Sequence, residues 1–288
     1  MKRTVIAAVL GVLLCLASVS AGVISGNFCS VANIVDYPAG VVPVGAWNDY
    51  TGPAGFGAAA TVTSGAGEIM YADGSLVASG MALNWDVSPS GSQNTNDSVD
   101  RPTGSTLGAD IDDGHDQMMA GYLQISRMSN AVPILEFSGT GINVAADSYD
   151  LILYLDGDAD VQPDSSTANN QYSVGIWTDP TKLTSLGSMV FGRDAGTYAL
   201  ANDGTNPLGE YIQVTSTIDG SPTEGNYVRF SGLTSNSFYI EIEGVLGGTD
   251  GLSNDGGHGV ALNGFQIVPE PMTIGLLGFG ALLIGRRK

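Results

Sequence analysis

The sequence predicts an all-β protein: an antiparallel β-sandwich carried between an N-terminal signal helix and a short C-terminal hydrophobic helix. Short apolar or alternating runs are separated by clusters of Gly, Ser, Thr, Asn and Asp. Between the ends, no long stretch repeats apolar residues at helical spacing. Only the two ends carry longer apolar runs, Thr4 to Ala17 and Met272 to Gly285.

At the N-terminus, Met1-Lys2-Arg3 is a charged start and Thr4 to Ala17 has the length of a signal-peptide core. Val19-Ser20-Ala21 puts small side chains where signal peptidase reads, so residues 1–21 are expected to be removed after Ala21. Leu13 and Leu14 stand where a lipoprotein signal around Cys15 would need small residues.

Residues 22–267 form the body. Its expected strands are Ile69–Ala72, Met81–Asp86, Met118–Ser126, Ile134–Phe137, Tyr149–Leu155, Tyr172–Trp177, Ser188–Phe191, Tyr198–Ala201, Tyr211–Thr217, Tyr227–Phe230, Phe238–Glu243 and Val260–Val268. In Phe238–Glu243 the alternation sends Phe238, Ile240 and Ile242 inward and Tyr239, Glu241 and Glu243 toward water. Tyr149–Leu155 is apolar on both faces, the signature of a central strand covered on both sides. Asn27 to Asp100 is richer in Gly and Ala and weaker in strand pattern. It reads as the first strands of the same domain, since no charged or Pro-rich linker divides the body. The loops Asp156–Asn170, Asn202–Gly209 and Leu246–Gly257 are long and polar.

Residues 268–288 form the third segment. Pro269-Glu270-Pro271 precedes the apolar run, and Arg286-Arg287-Lys288 follows it. The prolines are expected to keep this stretch extended and free of sheet pairing, leaving Glu270 open to a protease. The run's 14 residues would span about 21 Å as a helix, against a hydrocarbon core of about 30 Å. Such a segment holds a protein in a membrane transiently, with Arg286, Arg287 and Lys288 as a cytoplasmic stop and the body outside.

Val268-Pro269-Glu270-Pro271, then Thr273-Ile274-Gly275-Leu276-Leu277-Gly278, Ala281-Leu282-Leu283 and the basic end, resemble the PEP-CTERM sorting domain of bacteria that make exopolysaccharide. The resemblance implies recognition by exosortase, a membrane-embedded processing enzyme. It also implies processing near Pro269-Glu270-Pro271 and delivery to the cell surface, outer membrane or extracellular matrix. Ser148-Tyr149-Asp150-Leu151-Ile152-Leu153-Tyr154, Asn226 to Leu233 and Ala261 to Val268 resemble the β-sandwich bodies common in such proteins. Those bodies are similar to lectin-like, carbohydrate-binding jelly-rolls, so the resemblance implies a jelly-roll-like body.

The body holds 28 acidic residues and five basic ones, Arg101, Arg127, Lys182, Arg193 and Arg229, for a formal charge of −23. Such a surface repels nucleic acid and anionic lipid. With the signal removed, Cys29 is the one cysteine left, so no intramolecular disulfide can form. One Cys and two distant His give no zinc-site spacing.

Asp156, Asp158, Asp160 and Asp164 in one polar loop can direct several hard oxygens at a calcium ion. Val161 and Thr167 depart from the EF-hand pattern, which needs Gly and Glu there. Asp110, Asp112, Asp113 and Asp116 surround His115, a residue better suited to transition metals. Trp47, Trp85 and Trp177 are candidate platforms for stacking on sugar rings or else core side chains. Trp47 with Tyr50, beside Gly-rich loops, is the expected exposed pair. No Gly-x-Ser-x-Gly elbow is present. Together these features describe an exported, non-enzymatic surface or matrix protein associated with extracellular polysaccharide. The alternative is a secreted carbohydrate-active hydrolase using a carboxylate pair in the loops.

Overall fold

The computed structural model describes residues 22–29, 38–51, 60–86, 95–96, 123–125, 134–155, 171–193, 211–244 and 260–270. Every structural statement below concerns these residues. They contain strands β1 (Ile24–Cys29), β2 (Asn48–Thr51), β3 (Ala60–Thr63), β4 (Ala82–Asp86), β5 (Thr95–Asn96), β6 (Leu123–Ile125), β7 (Ile134–Thr140) and β8 (Tyr149–Tyr154). Then come β9 (Gln171–Trp177), β10 (Val190–Arg193), β11 (Thr223–Glu224), β12 (Tyr227–Leu233), β13 (Ser237–Gly244), β14 (Val260–Leu262) and β15 (Gly264–Pro269). The described helical turns are two short 3-10 turns, Ser64–Ala66 and Ile142–Val144.

The strands build a five-stranded sheet in the order β12-β8-β15-β1-β2 and a seven-stranded sheet in the order β11-β10-β9-β13-β7-β4-β3. A small sheet, β14-β6-β5, adds Leu123 and Leu262 to the same core. The expectation of purely antiparallel sheets is corrected. β2 runs parallel to β1, and β11 parallel to β10, so both large sheets are mixed. The signal helix and the C-terminal helix fall on residues outside those described.

The core lies between the two large sheets and is built largely from aromatic rings. Phe28 of β1 meets Trp85 of β4 edge-on at 5.1 Å. Phe265 of β15 lies 4.8 Å from Phe137 of β7, which in turn contacts Phe238 of β13 at 5.4 Å. Strand alternation supplies these contacts: β13 turns Phe238, Ile240 and Ile242 inward, as its pattern predicts.

β8 is covered on both sides, and all six of its residues are buried. Leu151 and Leu153 face the core, while Ile152 and Tyr154 face a second layer with Val44 and Trp47. That layer is fastened by polar groups. The Tyr154 hydroxyl donates to Gln266 Oε1 at 2.5 Å and accepts the Val41 N–H at 2.6 Å. Gln266 Nε2 donates to the Val42 carbonyl and the Ser25 hydroxyl. Each buried polar atom of this network has a partner, so burial carries little desolvation penalty.

Two expected strands are not strands. Ile69–Ala72 contributes only the bridge Met70–Leu76, because the Asn48 side chain takes both backbone groups of Met70. Tyr211–Thr217 contributes only a parallel bridge, Gln213–Tyr227. There the Thr223 hydroxyl accepts the N–H groups of Thr215 and Ser216, and Asn226 Oδ1 accepts that of Ile212. Side chains stand where a neighbouring strand would be. The run Val260–Val268 is broken at Asn263 into β14 and β15, which belong to different sheets.

β1 carries a close approach that only glycine permits. A Cβ on Gly26 would lie 2.3 Å from the Phe265 ring and 2.8 Å from that of Tyr50. A Cβ on Gly45 would meet nothing within 4 Å. Gly26→Ala should therefore cost about 1–3 kcal/mol through overpacking. Gly45→Ala should stay within about 0.5 kcal/mol. Urea unfolding of the two variants beside the parent checks the contrast.

Candidate functional site

The junction of the two chain ends is the first site. β1 and β15 are antiparallel neighbours, with Ile24 opposite Ile267, which brings Gly22 beside Pro269. A Cβ on Gly22 would lie 3.1 Å from Pro269 Cγ. On its other side β15 pairs with β8 as far as Pro269 opposite Tyr149. Pairing therefore runs into the Pro-Glu-Pro motif, two residues past the body boundary at 267. This corrects the expectation that the prolines keep the stretch unpaired. Proline closes a strand well, because a strand end does not need its missing N–H. Glu270 is exposed yet fastened: its N–H donates to the Ser148 carbonyl at 2.9 Å, and its carboxylate accepts the Ser148 hydroxyl at 2.7 Å.

Beside this junction, the buried Asp150 accepts Arg229 Nε at 3.0 Å and Arg229 Nη2, while the Gly232 N–H donates to its other oxygen at 3.0 Å. Gly232 sits at φ 71°, a left-handed bend that a side chain rarely adopts. The bend coincides with a register shift in β12 between Phe230 and Leu233. Ser148, Asp150, Arg229 and Gly232 thus make a polar end to the sheet, with Glu270 beside them.

The outer face of the seven-stranded sheet is the second site. Register places Asp86, Glu136 and Glu241 side by side on β4, β7 and β13. Like charges in such a row repel. Two partners relieve them: Lys182 binds Glu241 at 2.5 Å, and the Tyr239 hydroxyl bonds Glu136. Tyr239 lies 6.4 Å from the Trp177 ring and is almost fully buried, correcting the expectation that it faces water. Its burial comes first, then its bond to Glu136 and the nearby carboxylates, in holding the phenol far above its usual range. It is a neutral donor at neutral pH, unsuited to nucleophilic work.

Trp177 is the most open of the three tryptophans, and its ring has Gly175 and Lys182 as near neighbours. A Cβ on Gly175 would fall 1.9 Å from it, so the ring lies directly over that glycine. Lys182 Nζ sits 5.4 Å from its centroid. Lys182 has φ 57°, a left-handed conformation held by its contacts to Trp177 and Glu241.

Trp47 and Tyr50 are not an exposed pair. They retain 6% and 8% of their surface, and Trp85 retains 5%. Trp47 packs 6.2 Å from Tyr154 and donates to the Val44 carbonyl, while Tyr50 stacks on Phe265. Instead of lying open, the Tyr50 ring lies against Gly26 and the Trp47 ring against Gly264. Asp156, Asp158, Asp160, Asp164, the acidic group around His115, Val19, Ala21, Pro271, Arg286, Arg287 and Lys288 lie outside the described residues. So does the Cys29 side chain. Among the described residues, no three His, Cys, Asp or Glu side chains are grouped to hold a metal, and no helix is long and apolar enough to cross a membrane. The clasp of Glu270 by Ser148 and the row of carboxylates were not read from the sequence, because both depend on strand register. No family model matches the chain, and no curated protein does.

Four buried tyrosines make the fold sensitive to alkali. Burial holds the Tyr50, Tyr154 and Tyr239 hydroxyls well above their usual range and raises that of Tyr149 to about 12. A phenol whose value is raised by folding stabilises fully below its unfolded value, near 10, and loses that contribution as pH rises through the folded value. Stability should therefore hold up to about pH 10 and fall between about pH 10 and 12. Tyr149→Phe should remove about 2 kcal/mol of that fall. Urea unfolding across this range reads it directly.

Proposed function

We propose that this chain is an exported protein of the cell surface or extracellular matrix. Residues 1–21 carry it through the inner membrane, and a PEP-CTERM-like segment at 268–288, handled by an exosortase-like enzyme, sorts it. The observation that carries the reading is the meeting of Gly22 and Pro269 on neighbouring strands. Adjacent strands lie about 4.8 Å apart. Both membrane-directed segments therefore leave the body at one end of one sheet. A body tethered by either segment, or by both in turn, faces the membrane the same way.

The body is proposed as a jelly-roll-like sandwich without catalytic activity that associates with extracellular polysaccharide. Its strong acidity and the half-buried polar residues on the outer sheet face support this. Acceptor-rich faces of this kind suit the hydroxyl groups of a glycan better than nucleic acid. With Lys182 over the Trp177 ring, contact would rest on polar groups such as Asn84, Ser138 and Glu243. Calcium at the Asp156–Asp164 loop remains part of the proposal on sequence grounds.

A second reading is a secreted carbohydrate-active hydrolase; the sequence expected its carboxylate pair in the loops, whereas the pair that favours it here lies on strands, Glu136 and Glu241 being direct cross-strand partners held by Tyr239 and Lys182. Two measurements test the proposal, and the second separates it from the hydrolase. Mass spectrometry of protein recovered from its native cells should show Gly22 as the first residue and loss of the apolar tail. Incubation with the native polysaccharide should give co-sedimentation without release of reducing sugar. Sugar release abolished by Glu136→Gln or Glu241→Gln would establish the hydrolase instead.

A further inference from the structure

We propose that Ser148 is a positioning residue for the Pro-Glu-Pro motif. It clasps Glu270 onto the end of the five-stranded sheet, so a processing enzyme meets Pro269 and Glu270 as a fixed part of the folded body. The inference rests on the sorting reading above for the identity of the enzyme's target, but the clasp itself is a property of the fold.

Three observations converge on it. First, β15 is paired with β8 into the motif, Pro269 lying opposite Tyr149, and with β1 as far as Ile267, beyond which Gly22 packs against the Pro269 ring. Enzymes that process chains commonly bind them as an added strand along a free edge. Along β15 the β8 side is paired through Pro269 and the β1 side as far as Ile267, so no long free edge leads into the motif. Second, the ladder is extended one residue past the strand by the Glu270 N–H to the Ser148 carbonyl at 2.9 Å. Third, the Ser148 hydroxyl donates to Glu270 Oε2 at 2.7 Å, a charge-assisted bond that ties the side chain as well as the backbone. Gly232 is bent at φ 71° beside this carboxylate, and a Cβ there would stand 3.7 Å from Glu270 Oε1.

The spacing makes the clasp consequential. In the sequence only Glu270 and Pro271 separate the last sheet residue from the apolar run that begins at Met272. An enzyme acting at the membrane surface must work within one or two residues of the folded body. The clasp then serves as a ruler. Hydrolysis of a peptide bond beyond Glu270 adds water across it, leaving the new carboxylate on the body and the new amine on the tail. The body keeps β15 whole.

Residue-resolved hydrogen exchange on the full chain in detergent micelles tests the clasp without any processing enzyme. The Glu270 amide should be protected in the parent. It should exchange about three- to tenfold faster in Ser148→Ala, and Ser148→Thr, which restores the hydroxyl, should return it toward the parent rate. Amides in β13 serve as the control for global unfolding and should not change. Equal rates at Glu270 in the parent and Ser148→Ala would overturn the proposal. In native cells, the mature C-terminus of the parent should lie at Glu270 or beyond it; an end before Glu270 would also overturn it. Exported protein that keeps its whole tail would contradict the sorting reading, while the exchange result would still decide the clasp.

Discussion

Strand β15 has a partner on each side, β8 and β1, and the five-stranded sheet depends on that double pairing. The last strand in sequence lies at the centre of the sheet, and the first strand lies next to it. Neither β8 nor β1 can complete its backbone hydrogen bonding until residues 264–269 arrive. A polypeptide is made N-terminus first, so the sheet closes only after its C-terminal strand has emerged. Under the proposed sorting role, such a sheet would keep the sorting segment close to the body, because it consumes the residues that would otherwise form a linker.

The same strand organises both faces of the sheet. Phe265 and Ile267 enter the aromatic core, where Phe265 meets Phe137, Phe28 and Tyr50. Gln266, on the other face, is the centre of the polar network that fixes the second layer through Tyr154, Val42 and Ser25. A buried Gln is costly unless each of its groups is paired. Here the pairing also selects which segment covers the sheet, since only a chain that brings Val41 and Val42 alongside can satisfy it.

Where side chains alternate strongly, the sequence was sufficient. β9 and β13 are legible because their apolar residues follow the period of a strand, and β8 because its continuous apolar run marks a strand covered on both sides. β1 is not: Ile24-Ser25-Gly26-Asn27-Phe28-Cys29 carries too little apolar alternation to stand among the expected strands, yet Gly26 is required by the Phe265 ring, and Ser25 and Asn27 are buried polar residues. The stretches around Met70 and Gln213 fail in the opposite sense. Their composition suits a strand, but side-chain amides and hydroxyls replace the neighbouring strand. The Pro-Glu-Pro motif is visible in sequence, whereas its attachment to Ser148 is a contact between residues 122 positions apart. The row Asp86–Glu136–Glu241 is hidden for the same reason, since register brings together three acids from distant parts of the chain.

The body is thus coupled to its own ends, and the central claim is that residues 264–269 complete the fold. Thermal unfolding of two truncated chains, both starting at Gly22, tests it most directly. A chain ending at Pro271 should melt in one cooperative transition, and a chain ending at Asn263 should show none. Cooperative melting of the shorter chain at a similar temperature would contradict the account.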